Sequence, residues 1–348
     1  MVILLIITGV VCVFSAGGGS DGIGDTIAIR QLVFSLISVI AMLIVVITGY
    51  SKFLEWSYHL YFLSLFLLAL VLVIGFTTKG AQSWLNLGPF RFQPSEFGKI
   101  AFALVLAKHL TRYSPGTYKG FWGTVLLASP SIILILMEPD LGSAAVYCFM
   151  LFIALVIAGG INRHLLILSS LGLGILPLGW HFLKDYQKLR LLVFLNPALD
   201  PLGAGYNVIQ SRIAVGSGGL FGKGYLQGMQ SKLHFLPEPH TDFIFSVLAE
   251  EWGFAGALCL MVIFSILLWK IIRIGINSKD LRAKIYVATI SAWIWFQLAE
   301  GIAMSMGLSP VTGLPFPFIS YGGSSLMSLS IALAFIISIQ LGMVKKYQ

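Results

Sequence analysis

The chain has 348 residues, 57% of them hydrophobic and only 10% charged, with a formal net charge of +8. Soluble domains carry about 25% charged residues, so this composition excludes a water-soluble globular fold; repeated apolar runs near 20 residues make a polytopic membrane protein. The basic residues are scattered over several short segments, which argues against a nucleic-acid surface.

In chain order the apolar runs predict ten transmembrane spans, at about 2–16, 29–50, 59–77, 95–113, 121–138, 141–160, 164–183, 241–270, 284–304 and 322–343. The predicted fold is an all-α polytopic membrane protein: one bundle of about ten transmembrane helices, a single domain over 1–348. A long extracytoplasmic loop, 184–240, joins the seventh and eighth spans. The first span is short for a ~30 Å hydrocarbon core. It lacks an A-x-A-type cleavage site and reads as retained. AGGGSDG (16–22) reads as a flexible external turn. Cys12, Cys148 and Cys259 lie inside apolar runs and read as small buried hydrophobes. No internal repeat is visible.

Orientation follows from Lys and Arg in short connections. With both termini cytoplasmic, the inner segments hold Lys52, Lys108, Arg112, Lys119, Arg163, Lys270, Arg273, Lys279, Arg282, Lys284, Lys345 and Lys346, against only Glu55 and Asp280. The unusual residues then fall outside, in GAQSWLNLGPFRFQPSEFGK (80–99), EPDLGS (138–143), the 184–240 loop and GLSPVTGLPFPFISYGGSS (307–325). Function concentrates on loops held by a rigid scaffold.

Two readings stand beside each other at each of these places. In QPSEFGK, Pro94, Ser95 and Glu96 have the pattern of a helix start, and Glu96 and Lys99 fall on one helical face. Trp84 is either an interfacial belt residue or a platform for a sugar ring. Asp140 reads as a turn former. In the long loop, GYNVIQSRIAVGSGG predicts a short amphipathic helix through Val208, Ile209, Ile213 and Val215. GSGGLFGKG holds five glycines in nine residues around Lys223; it is a plain turn or a backbone cradle for an anion. The loop's Lys184, Lys188, Arg190, Arg212, Lys223 and Lys232 suit a pyrophosphate or a lipid head group, or simply snorkel. Asp242 at the entry of the eighth span is either a helix cap or a partly desolvated carboxylate suited to general-base work, with Glu238 and His240 at the same corner. Glu250 and Glu251, deeper in that span, read as structural or cavity-lining. Glu300, in the ninth span, has a pairing or cavity role that position alone does not assign. No Walker loop, metal-ligand spacing, nucleotide fingerprint or Ser-His-Asp signature is present.

GAQSWLNLGPFRFQPSEFGK, MEPDLGSA, GYNVIQSRIAVGSGGLFGKG, FLPEPHTDFIFSVLAEEWG and PVTGLPFPFISYGGSS, in this order and spacing, resemble the SEDS family (shape, elongation, division and sporulation) of bacteria from about residue 75 onward. PVTGLPFPF, FGKGYLQGMQSKLHFLPE and the short termini are most similar to its cell-elongation branch. The resemblance implies ten transmembrane helices and a peptidoglycan glycosyltransferase that polymerises lipid II on the outer face of the cytoplasmic membrane. It implies a class B penicillin-binding protein as partner, besides membrane lipids. The family's essential aspartate maps onto Asp242, its tryptophan onto Trp84, and the QPSE glutamate and following lysine onto Glu96 and Lys99. Asp242 is then the expected base, and Lys99, Arg212 and Lys223 the expected pyrophosphate contacts. Glu238 and His240 orient the base. Glu96 tunes it, pairs with Lys99 or holds a divalent cation; no cofactor is firmly implied. Two departures stand out: Glu138 where the family has Gln, and Gly301, beside Glu300, where it has Asn. The competing expectations are a flippase for the lipid-linked precursor, built on Glu250, Glu251 and Glu300, and a scaffold that activates its partner.

Overall fold

The structure is a computed structural model and describes residues 1–345 apart from 22, 79, 80, 89, 202 and 234. Gly22 of the predicted turn, Gly80 and Pro89 of the 80–99 stretch, and Lys346 of the inner basic set lie outside the described residues. The helices are α1 (Val2–Ala16), α2 (Gly24–Thr48), α3 (Tyr50–Glu55), α4 (Ser57–Ile74), α5 (Pro94–Arg112), α6 (Tyr118–Met137), α7 (Leu141–Ile157) and α8 (Asn162–Gly179). They continue as α9 (Asp185–Leu195), α10 (Ala204–Ser217), α11 (Met229–Lys232), α12 (Ile244–Asn277), α13 (Leu281–Ser305) and α14 (Gly323–Lys345). Each predicted span overlaps one of these: α1, α2, α4 to α8 and α12 to α14. By length and composition α2, α4, α6, α12, α13 and α14 are able to cross a membrane, and α1 and α7 are apolar but shorter.

The outward faces are those of a protein dissolved in lipid. Ile47, Val73 and Leu126 are 85%, 79% and 74% exposed, which a water-soluble monomer rarely tolerates in such numbers. Inside, helices approach through small polar residues such as Ser64, Thr124, Ser131 and Thr289, the usual economy of helix packing in membranes. Cys12 is buried as expected, whereas Cys148 and Cys259 are exposed. They fall on outward sides of α7 and α12, where a small apolar side chain meets lipid as well as it meets a core.

The chain divides into two compact units, each discontinuous in sequence. The second comprises 39–184, 269–294 and 328–348. At its centre is α5, in which every residue from Phe102 to Ala107 is fully buried. Pro94 occupies the first turn with Gln93 as N-cap, and Glu96 sits beside the positive helix end. Thr117 caps α6, accepting from the Gly120 N–H at 3.1 Å. Ahead of α5 lies a sheet that the sequence pattern did not predict: β1 (Phe76–Thr78), β2 (Ala81–Leu87) and β3 (Phe90–Phe92), antiparallel in that order.

The first unit comprises 1–38, 185–268 and 295–327. It holds the long loop, which is not structureless but carries α9, α10 and α11. The amphipathic helix expected in that loop is α10. Val208, Ser211 and Ala214 are its buried face, and Ile213 points outward at 45% exposure. Ser211 Oγ bonds Ser246 Oγ and the Ser305 carbonyl, both at 2.7 Å. The glycine-rich stretch after α10 lies against α12, where Gly253 (φ 66°, ψ −165°) breaks the helix. The break frees two amides: Phe254 and Ala255 N–H donate to the Gly219 and Leu220 carbonyls at 2.9 and 3.0 Å. In return, Lys223 and Gly224 N–H donate to the Glu250 and Glu251 carbonyls, each at 3.0 Å. A helix interruption in an apolar bundle is tolerated only when its backbone groups are satisfied this way.

The Gly253 conformation is essentially glycine-only, and an added Cβ would run into the Gly222 and Leu220 backbone. Gly253→Ala is therefore expected to destabilise the protein by about 1–3 kcal/mol or more. A lowered melting temperature with faster amide exchange at Phe254 and Ala255 is the expected reading.

Candidate active site

Asp242 lies half-buried in a turn, two residues before α12 begins at Ile244. The turn is shaped by Glu238, a non-glycine residue at φ 50°, a conformation that costs of order 1 kcal/mol or more and marks constrained positions. Its carbonyl accepts from Thr241 and Phe243 N–H at 3.3 and 3.4 Å. The Glu238 carboxylate accepts from Thr241 Oγ1 at 3.1 Å and lies 4.0 Å from His240 Nε2. The 307–322 segment holds the turn from outside itself: Ser320 Oγ donates to the Thr241 carbonyl at 2.6 Å, and Tyr321 N–H to the His240 carbonyl at 2.8 Å. The His240 and Tyr321 rings meet edge to face at 5.8 Å. The two carbonyls just before Asp242 are thus fixed, while the carboxylate retains exposure.

Of the expected cationic partners in this unit, Arg212 on α10 is exposed, with its stem against Gly307. Lys223 is only 28% exposed and its ammonium bonds Glu250 Oε1 at 2.7 Å. Glu250 also accepts the Gln230 N–H on both oxygens, at 3.2 and 3.3 Å. Glu251 accepts from Ser15 Oγ of α1. The two glutamates therefore fasten the glycine-rich stretch and α1 to the broken helix. Their adjacency was plain in sequence; their partners, up to 236 positions away in the chain, were not.

Glu96, Lys99 and Trp84 belong to the other unit. Glu96 and Lys99 are fully buried, and Lys99 Nζ lies 2.5 Å from Glu96 Oε1. The same ammonium stands over the Trp293 ring, 4.8 Å from its centroid, a desolvated cation–π contact. The second Glu96 oxygen has no hydrogen-bond partner. Between Glu96 and Lys99 in sequence, Gly98 leaves room for the Tyr147 hydroxyl, which donates to the Ser95 carbonyl at 2.9 Å. Trp84 is half-buried on β2, paired with Phe76.

Glu138 is the unexpected member of this second group. α6 ends at Met137, so Glu138 sits in the turn to α7, fully buried with neither carboxylate oxygen hydrogen-bonded. Burial first, and the Asp140 charge second, push its carboxyl up to about 9. A proton kept at neutral pH makes it a neutral hydrogen-bonding group, as a glutamine is. Asp140 caps α7, accepting from Ser143 N–H at 2.9 Å and Ser143 Oγ at 2.7 Å. Among the described residues, no three His, Cys, Asp or Glu side chains gather as a metal site.

Fold and site together define a polytopic helical membrane protein whose accessible carboxylate sits on a backbone-pinned turn at the mouth of a spanning helix. The chain belongs to the FtsW, RodA and SpoVE family of cell cycle proteins, whose family model matches residues 1–343. It is 37% identical to stage V sporulation protein E of Bacillus subtilis over 346 residues, 97% of this chain and 94% of that one. It is 36% identical to the peptidoglycan glycosyltransferase MrdB of Escherichia coli K12 over 341 residues, 97% and 91% of the two chains. Among solved structures it is similar to the rod shape determining protein RodA of Thermus thermophilus, with a TM-score of 0.74 at 30% identity over 100% of this chain and 95% of that one. A chain of a peptidoglycan synthase complex matches with a TM-score of 0.83 at 31% identity, covering 98% and 96%.

Removing one member of a buried ion pair leaves an uncompensated charge and costs about 3–5 kcal/mol. Lys99→Met should lower the melting temperature accordingly, and Lys99→Met with Glu96→Gln should recover part of the loss. Glu138 gives a pH signature. Its folded value lies above the ordinary carboxyl value of about 4.5, so the native state keeps a proton that the unfolded chain releases. Its contribution is fully present below about 4.5 and is lost progressively as pH rises toward about 9. Glu138→Gln removes that dependence. Melting curves across this window should show the variant gaining on the wild type as pH rises; a constant gap refutes a raised Glu138.

Proposed function

We propose that this chain is a peptidoglycan glycosyltransferase of cell elongation, polymerising lipid II on the outer face of the cytoplasmic membrane. The observation that carries the reading is the Asp242 turn: a half-exposed aspartate on a clamped backbone, an arrangement suited to taking a proton from a bound sugar. The names of the relatives MrdB and RodA support the elongation assignment. In this reading α1, α2, α4 to α8 and α12 to α14 are the ten membrane crossings. Both termini face the cytoplasm, as the basic inner connections favour, and the 184–240 and 307–322 segments face outward.

The reaction needs one base. Asp242 accepts the proton of the acceptor sugar's 4-hydroxyl as that oxygen forms a bond to the anomeric carbon of the donor. The bond from that carbon to the pyrophosphate breaks, and undecaprenyl pyrophosphate leaves with the electron pair. A single displacement turns an α-linked donor into a β-1,4 product, so no second carboxylate is required as nucleophile. The leaving group needs positive charge more than an acid. Arg212 is the accessible candidate, while Lys223 and Lys99 reach a pyrophosphate only by giving up Glu250 and Glu96. Glu96, sealed from solvent, serves by holding Lys99, and Trp84 offers a ring face to a sugar. A divalent cation is an added variable, carried by the substrate's own pyrophosphate. A class B penicillin-binding protein is the proposed crosslinking partner; one similar structure comes from a complex that coordinates polymerisation with crosslinking.

The flippase reading relied on unanswered acids inside the bundle. Glu250, Glu251 and Glu300 each have a partner within the first unit, which weakens it. The deciding measurement is polymerisation of lipid II by purified protein, with and without partner and divalent cation. Asp242→Asn should lower strand synthesis by about 10²–10⁴-fold while melting like the wild type. Normal synthesis by this variant sinks the base assignment. Lipid II scrambling in vesicles that survives the substitution, without polymer, points to transport; synthesis that depends on an intact partner active site points to a scaffold.

A further inference from the structure

The segment between α13 and α14 is the part of the first unit whose position is least explained by regular structure. From Gly307 to Gly322 it forms turns and extended backbone with no ladder of its own, and Gly307 and Gly313 take φ values of 71° and 75°. Yet its far end holds the Asp242 turn, through Ser320 and Tyr321. Something must fix its near end, and the structure shows what does. Glu300, in the last turns of α13, accepts hydrogen bonds on Oε1 from Ser309 Oγ at 3.0 Å and Thr312 Oγ1 at 3.2 Å. Arg190 of α9 donates to the intervening Val311 carbonyl at 3.2 Å.

Between the two ends the segment is packed at Phe316. Phe316 packs on the bare Cα of Gly301, so closely that a Cβ there would lie 2.7 Å from its ring. Its ring stacks on Phe245 and meets Phe264 edge-on, both at 5.8 Å. Its N–H donates to Ser320 Oγ at 2.9 Å, and that same hydroxyl donates to the Thr241 carbonyl. Contacts therefore hold both ends of the segment, Glu300 with Ser309 and Thr312 at one and Phe316 and Ser320 with Thr241 at the other, joined through residues 313–315 of the chain; the Thr241 carbonyl adjoins Asp242. A charge-assisted bond at the near end is worth more than a neutral one and is directional.

We infer that Glu300 is a positioning residue for the glycosyl transfer: by anchoring the start of the 307–322 segment it sets the register of Ser320 and Tyr321, and so the aim of the Asp242 carboxylate. This rests on Asp242 being the base, and the test separates the two. Glu300→Ala should accelerate amide exchange at Phe316, whose N–H donates to Ser320 Oγ, and at Tyr321, whose N–H donates to the His240 carbonyl. It should lower lipid II turnover by about 10–100-fold, the loss that a misplacement of order 1 Å produces, with KM within about twofold because no substrate contact is removed. Glu300→Gln keeps an amide oxygen to accept both hydroxyls and should recover most of that turnover. Ser309→Ala with Thr312→Val, which removes the donors and leaves Glu300 in place, should reproduce the Glu300→Ala defect in both readouts. This pair and Glu300→Gln carry the test if Glu300→Ala does not fold. The inference is overturned if the anchoring variants keep wild-type turnover, or lose it without faster exchange at Phe316 and Tyr321. Polymerisation by Asp242→Asn overturns the base instead, and leaves the exchange result standing as a statement about the segment.

Discussion

A carboxylate inside an apolar bundle must be answered by a donor, because neither lipid nor a packed core offers one. This chain uses that requirement as its fastener. Glu250 holds Lys223 and the Gln230 amide, Glu251 holds Ser15, Glu300 holds Ser309 and Thr312, and Glu96 holds Lys99. Two of these four, Glu250 and Glu300, tie a stretch lacking regular structure to a spanning helix, and Glu251 ties α1 to α12. The energetic reason is local. Desolvating a charge costs several kcal/mol, recovered only when the partner geometry is met, so each glutamate selects one placement of the segment it binds. Irregular backbone beside a membrane would otherwise have many placements of similar energy.

The same logic explains why the glycines cluster where they do. Gly218, Gly222 and Gly228 face α12 around Glu250 and Glu251, with no room for a Cβ beyond a backbone or a carboxylate. Gly253 provides the helix break that exposes the Phe254 and Ala255 amides to the Gly219 and Leu220 carbonyls. Read in sequence, GSGGLFGKG suggested an anion cradle or a plain turn. In the structure its close backbone approach is to the chain's own helix, and Lys223, the obvious cation, is already neutralised by Glu250. Accessible positive charge on this loop is left to residues such as Arg212.

Much of the fold was legible because membrane helices carry their signal locally. Every predicted span met a helix, since about 20 apolar residues in lipid have almost no other way to satisfy their backbone. Pro94, Glu96 and Lys99 were readable as a helix start with an i,i+3 pair for the same reason, and a short helix at α10 was expected from its apolar spacing, although its buried face is Val208, Ser211 and Ala214. What stayed hidden depends on distant partners or on short elements. β1 and β3 are three residues each, too brief for alternation to show, and Gln82–Trp84 alternating with Ser83–Leu85 was masked by the glycine and proline around it. The outward turn of Cys148 and Cys259 was invisible because apolar runs look alike whether they face lipid or protein. The role of Glu251 needed a contact 236 positions away, and that of Glu300 the placement of an irregular segment 9 to 12 residues on.

Those long-range contacts also rank the acids. Glu96, Glu250 and Glu251 are buried and tied to donors, so each would have to break a partner bond and admit a substrate to act on it. Glu138 is buried without a partner and keeps its proton, so it has no lone charge to lend as a base. Asp242, the proposed base, is half-exposed and has a backbone held on its N-terminal side at two successive carbonyls. A base gains from being fixed before the substrate arrives, because the entropy of aligning it is then settled in folding and not in the transition state. The clamp constrains the chain beneath the carboxylate, at the His240 and Thr241 carbonyls. That division, rigid backbone and accessible side chain, is what a turn at the mouth of a spanning helix provides and what a residue one turn deeper in α12 does not.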